Sequence, residues 1–215
     1  MRLAALTFAL LLPLAASAQD IDKINGSAVV NAGEHAGDIH SVNGSVHIGD
    51  GAVVQSASTV NGSVDLGANA QASSLHTVNG RLGLRGGSRV SGNIKTTNGS
   101  ILLDPHADVA GSATTTNGSI VLDHAHIGGG IETASGGIMV GEGSHVEGGI
   151  VVDEVTSHGW NWPDRPPHIV IGPHAVVTGT LDFHREVVLD VSDSAQIGPV
   201  RGAKPNTFHG AAPDL

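Results

Sequence analysis

Thirteen histidines in a chain of 215 residues without cysteine raise metal binding and proton transfer first. Imidazole is the commonest nitrogen ligand and the side chain that titrates nearest neutral pH. The histidines do not converge by spacing. His40 and His76 hold the same place two repeat periods apart, with Ser58 between them. At one strand spacing per period they would stand about 9.6 Å apart, too far to share a zinc ion bound at about 2.0–2.1 Å. His124 and His126 are closer, but no third ligand follows from the spacing. Most histidines therefore read as solvated or corner residues, and neither a metal nor another cofactor is expected. Asp65, Asp104, Asp123 and Glu132 fall on outward or corner positions, whereas a β-helix lyase or hydrolase needs acids, or an acid and a base, paired in a cleft. The chain has only 10 Lys and Arg, scattered. It has no G-x-S-x-G elbow, no H-E-x-x-H and no phosphate-cradling G-x-x-x-x-G-K-[ST], and no calcium-binding nonapeptide repeats. No catalytic residue can be assigned.

The elements that would position these side chains come from a repeat. Asn-Gly pairs begin at Asn25, Asn43, Asn61, Asn79, Asn98 and Asn117, and Ser135-Gly136-Gly137 continues the series, with spacings of 18, 18, 18, 19, 19 and 18. Each unit reads approximately N-G-S-[IV]-x-[IL]-x-x-x-A-x-V-x-[GS]-x-[IA]-x-T. Val46, Ile48, Val54 and Ala57 are the apolar positions of one unit, and Ile101, Leu103, Val109 and Ala113 those of another. They alternate with the two-residue period of a strand. A period of 18 residues is too short for a propeller blade and lacks the helix of tetratricopeptide or ankyrin units. It fits one coil of a single-stranded parallel β-helix, an all-β solenoid in which coils stack at about 4.8 Å. About nine coils would give a rod on the order of 43 Å long. Asn and Gly both tolerate left-handed backbone angles and suit a sharp corner. The six asparagines are expected to stack in a column and bond through their side-chain amides. N-G-S is formally a glycosylation acceptor, but the repeat accounts for it.

Five segments follow. Residues 1–18 combine a basic start, an apolar run and Ala-Ser-Ala before Gln19, which reads as a secretory signal peptide; the run is too short for a membrane span, and the mature chain is expected to lie outside the cytoplasm without membrane insertion. Residues 19–152 carry the NGS coils. Residues 153–168 form a loop holding both tryptophans, and its prolines cannot continue a strand ladder. Residues 169–200 resume the coils, and 201–215 look irregular. Thirty-one glycines and no tyrosine imply a core of thin aliphatic layers. The net charge of −10 argues against nucleic acid and anionic lipid as partners.

"VNGSVHIGDGAVVQ", "TTNGSILLDPHADVAGSATTTNGSI" and "IVIGPHAVVTGTL" resemble the bactofilins, polymer-forming cytoskeletal proteins of bacteria. The resemblance covers about residues 24–197. It implies a right-handed β-helix of triangular section that associates end to end without nucleotide, and it carries no catalytic residues over. Bactofilins are typically cytoplasmic, so the signal peptide and the Trp-bearing loop depart from the pattern. Ile48-Gly49, Leu66-Gly67, Ile171-Gly172 and Ile197-Gly198 look like starts of the hexapeptide of left-handed β-helix acyltransferases, but one hexad per coil fits and a 19-residue unit does not divide by six.

The expected function is that of a non-enzymatic structural protein of the bacterial envelope, in the periplasm of a Gram-negative cell, self-associating through its coil ends. One alternative is a module that binds polysaccharide or protein through Trp160, Trp162 and Phe183. Another is a carbohydrate-active or acyl-transferring enzyme.

Overall fold

The computed structural model describes residues 19–154 and 165–213. The expected signal peptide and most of the expected loop, with Trp160 and Trp162, lie outside the described residues. Within them the chain is built from short strands and turns, 27 strands in all, with no helix. Every pairing between strands is parallel, and each strand lies on the equivalent strand of the next coil, as in Val46–Ile48 on Val64–Leu66 and Ile101–Leu103 on Ile120–Leu122. The molecule is a parallel β-solenoid.

Each coil contributes to three faces. The first face is a 10-stranded sheet running from Ala28–Val30 to Asn206–Phe208. The second and third faces form one 17-stranded sheet, because His35–Asn43 and Val53–Asn61 run unbroken around the corner between them. In later coils that corner divides the path into two strands, as in Arg89–Val90 and Ile94–Asn98. The 10 strands of the first face mark ten turns where the repeat alone led to about nine. The additional turn comes from the expected irregular tail, in which Asn206–Phe208 pairs with Val188–Ser192. The tail lacks the Asn-Gly signature and was hidden for that reason.

The aliphatic layers follow the predicted alternation. Val46, Ile48, Val54 and Ala57 are all buried, as are Ile101, Leu103, Val109 and Ala113. A single coil exposes both edges of its core, so burial exists only between neighbours. On the third face Ile39, Ala57, Leu75, Ile94, Ala113, Ile131, Ile150 and Leu181 lie in one inward column, mixing large and small side chains to keep the layer filled. Ile150–Val152 ends the coil before the loop, and His168–Ile171 takes up the first face again on Ile138–Val140. The insertion therefore leaves the stack at the corner between the third and first faces without breaking register on either side.

Candidate functional site

The Asn-Gly corner lies between the third and first faces, and its asparagines stack as expected. Asn43 Nδ2 donates to Asn25 Oδ1 at 3.2 Å, Asn61 to Asn43 at 2.9 Å, Asn79 to Asn61 at 3.0 Å, Asn98 to Asn79 at 2.9 Å and Asn117 to Asn98 at 2.9 Å. Every amide donates toward the N-terminal end, so the ladder has a direction. Ser135 closes it by donating its hydroxyl to Asn117 Oδ1 at 2.5 Å.

The reason for glycine at this corner differs from the expected one. Of the corner glycines only Gly26 (φ 99°) and Gly118 (φ 145°) adopt left-handed angles. At Gly44, Gly62, Gly80 and Gly99 the constraint is close approach: a Cβ would run into the carbonyl oxygen of the corner glycine one coil earlier. The same carbonyls receive a second ladder, hidden inside the corner. Thr59 Oγ1 donates to the carbonyl of Gly44 at 2.8 Å, Thr77 to Gly62 at 2.8 Å, Thr96 to Gly80 at 3.1 Å and Thr115 to Gly99 at 3.0 Å. These threonines are buried, so each hydroxyl and carbonyl satisfies the other where water has no access. The repeat contained the signal, a Thr or Ser two residues before every corner Asn except Asn25.

The left-handed backbone belongs to the next corner, between the first and second faces. Gly33, Gly51, Asn69, Gly87, His106, His124, Gly143 and His174 all have φ between 45° and 72°. Asn and His are among the non-glycine residues enriched there. Three of the histidines are thus turn residues. Just after them runs a column of small buried residues that includes Ala52, Ala70, Ser88, Ala107, Ala125 and Ser144. Ser144 Oγ accepts the Ala125 N–H at 3.2 Å, whereas Ser88 Oγ has no hydrogen-bond partner.

The remaining polar side chains pair along columns and form no common centre. His40 Nδ1 lies 2.8 Å from Ser58 Oγ, and His76 stands beside Ser58 in strand register. His124 and His126 diverge: His124 contacts Asp123 at 2.7 Å, while His126 reaches Asp108 at 2.6 Å and Glu147 at 3.4 Å. Asp65 and Asp104 line one surface hollow, but Arg81 pairs with Asp65 at 3.1 Å and Arg85 with Asp104 at 3.5 Å. Among the described residues no three His, Asp or Glu side chains are grouped to hold a metal ion. On the third face, loss of hydration and then the hydrogen bond and charge of Asp153 raise the Glu132 carboxyl above its ordinary value, with Lys95 acting against them. At the C-terminal end, the hydrogen bond from His209 holds the Asp193 carboxyl below its ordinary value.

Phe183 corrects the expected contact surface. It is 4% exposed and belongs to the core, beside Val152 in register on the third face. Alternation along Leu181–Phe183 turns it inward, so it cannot meet an outside ligand.

Among the described residues, the strands with an open side are at the two ends. Gln19–Asn25 pairs only with His35–Asn43, and Ala28–Val30 only with Val46–Ile48. At the other end Gln196–Ile197, Val200–Arg201 and Asn206–Phe208 each have one partner strand. Among the described residues all three faces therefore finish in a free edge at both ends, and Ile24 in the first coil is 74% exposed. No helix among the described residues is long and apolar enough to cross a membrane. Comparisons of the chain with protein-family models, with curated proteins and with solved structures gave no match.

Proposed function

We propose that this chain is a structural protein of the bacterial envelope that self-associates through the ends of its solenoid. The observation that carries this reading is the free edge that, among the described residues, every face presents at both ends. Unpaired N–H and C=O groups in a row are a template for another strand, and in a solenoid the complementary row stands at the opposite end of an identical copy. Between the ends, by contrast, the described strands are paired on both sides, so the sides offer no open ladder. The net charge of −10 opposes lateral clumping while short-range edge pairing operates at the ends. The resemblance of the repeat to bactofilins agrees with this reading, and the apolar N-terminal segment supports export.

Sedimentation velocity of the protein recovered from expression of the full chain, over a concentration series, tests the proposal. Association that grows with concentration and yields elongated species is expected. A single monomeric boundary across the series would overturn it.

A further inference from the structure

Given self-association, the register of the third face fixes its direction. One outward column climbs that face coil by coil from Asp22 to Arg201, each residue paired with the next. An acid therefore stands at its first position and a base at its last. The inward neighbours Ile21 and Val200 end the adjacent apolar column and are both only partly buried. The first coil begins on the second face with Gln19–Asn25 and the last finishes on the first face with Asn206–Phe208. A whole number of turns lies between them, so a second copy meets the end with no face missing or doubled.

We propose that copies join head to tail and in register. Gln19–Asn25 of one copy extends the third face beyond Val200–Arg201 of the copy before it, with Ile21 on Val200 and Asp22 beside Arg201. The inference rests on the self-association proposed above and adds its polarity. The hydrogen bonds follow from the pattern within the chain, where the Leu181 N–H donates to the carbonyl of Pro199, the residue before its partner Val200. Continued by one coil, the Val200 N–H donates to the Asp20 carbonyl of the next copy. Pro199 contributes only its carbonyl to this ladder, so its missing N–H does not block the join. Joining two N-terminal ends would instead make the strands antiparallel and set the acids Asp20 and Asp22 of both copies against each other, which like charges disfavour. A head-to-tail contact that does not close into a ring propagates as an open filament.

The chain has no cysteine, so a disulfide can report the contact. Asp22→Cys and Arg201→Cys are made in separate full-length chains, mixed and mildly oxidised. Facing residues of paired strands lie within the ~4.4–6.8 Å Cα separation that a disulfide spans. The proposal expects covalent dimers that join one chain of each kind, and none from either chain alone. Disulfides within the Asp22→Cys chain alone would show N-terminal ends meeting and overturn it, as would assembly without any cross-link. In parallel, Asp22→Arg or Arg201→Asp alone should raise the concentration needed for assembly by roughly fivefold. The double reversal in one chain should restore it; if it assembles no better than the single variants, the head-to-tail pairing is wrong. Sedimentation of the unaltered protein separates the two levels: a monomer removes self-association and polarity together, whereas a polymer without the mixed cross-link removes polarity alone.

Discussion

Asparagine and glycine are adjacent at six successive corners, from Asn25 to Asn117, yet they contribute in different ways. Replacing Asn61 with Ala removes two exposed amide bonds, to Asn43 and from Asn79, each with a net value of about 1 kcal/mol. Urea unfolding should show a loss of about 1–2 kcal/mol. Gly62→Ala adds one methyl group, but it lands on the carbonyl of Gly44, and the backbones of two coils must part. Its loss should exceed that of Asn61→Ala, at about 3 kcal/mol or more, and the reverse order would show that the side-chain ladder dominates the corner. Ser88 gives the opposite sign. Its buried hydroxyl has no partner, and Ala fills the equivalent site at Ala70 and Ala107, so Ser88→Ala should stabilise the fold by about 1 kcal/mol in the same measurement. At this scale the asparagine column was legible because its spacing is rigid. The reason for its glycines was not, since close approach between coils is a property of the stack and leaves no mark on one coil. The turn histidines were hard to read for a related cause: His106, His124 and His174 replace glycine at a left-handed position, and only alignment of the coils sets them in one column.

Between elements, neighbouring coils stack at one strand spacing, so charges on adjacent coils come close to each other. Glu132 and Asp153 meet in this way. The folded chain raises the Glu132 carboxyl above the 4.5 of an ordinary glutamate, so the native state holds its proton to higher pH than the unfolded chain does. Stability should consequently fall as pH rises from about 4.5 through the raised value. Glu132→Gln should raise the thermal midpoint at pH 7, with the gain fading below pH 4.5; an equal gain at both pH values would show that the charge is not its source. The Phe183 side chain is read at the same scale. Alternation along a three-residue strand turns it into the core, and Phe183→Ala should cost about 3–5 kcal/mol in urea unfolding. A neutral result would return this residue to the surface. From the sequence, Phe183 groups with Trp160 and Trp162 as a contact surface, and residue type alone carried no information on which way a strand turns.

At the scale of the molecule, the solenoid keeps its strand register from coil to coil and differs at its ends. The two-residue alternation and the period of about 18 residues were enough to specify parallel stacked coils, because a helix-free repeat that short cannot bury its own apolar face and must stack on its equivalents. The tenth coil, Gln196–Ile197, Val200–Arg201 and Asn206–Phe208, is legible only in part: its start falls within the expected coils, but its closing strand Asn206–Phe208 lies in the tail, which has neither an Asn-Gly corner nor the aliphatic alternation to mark it. That coil forms one of the two surfaces on which end-to-end assembly depends. Ten turns at about 4.8 Å give a rod of roughly 48 Å, and joining without a gap makes this length the subunit repeat of a filament. Cryo-electron microscopy of the assembled protein measures that repeat directly. Strands perpendicular to the filament axis with a longitudinal repeat near 48 Å are the predicted result; filaments with strands along the axis, or particles packed side by side, would contradict end-to-end assembly.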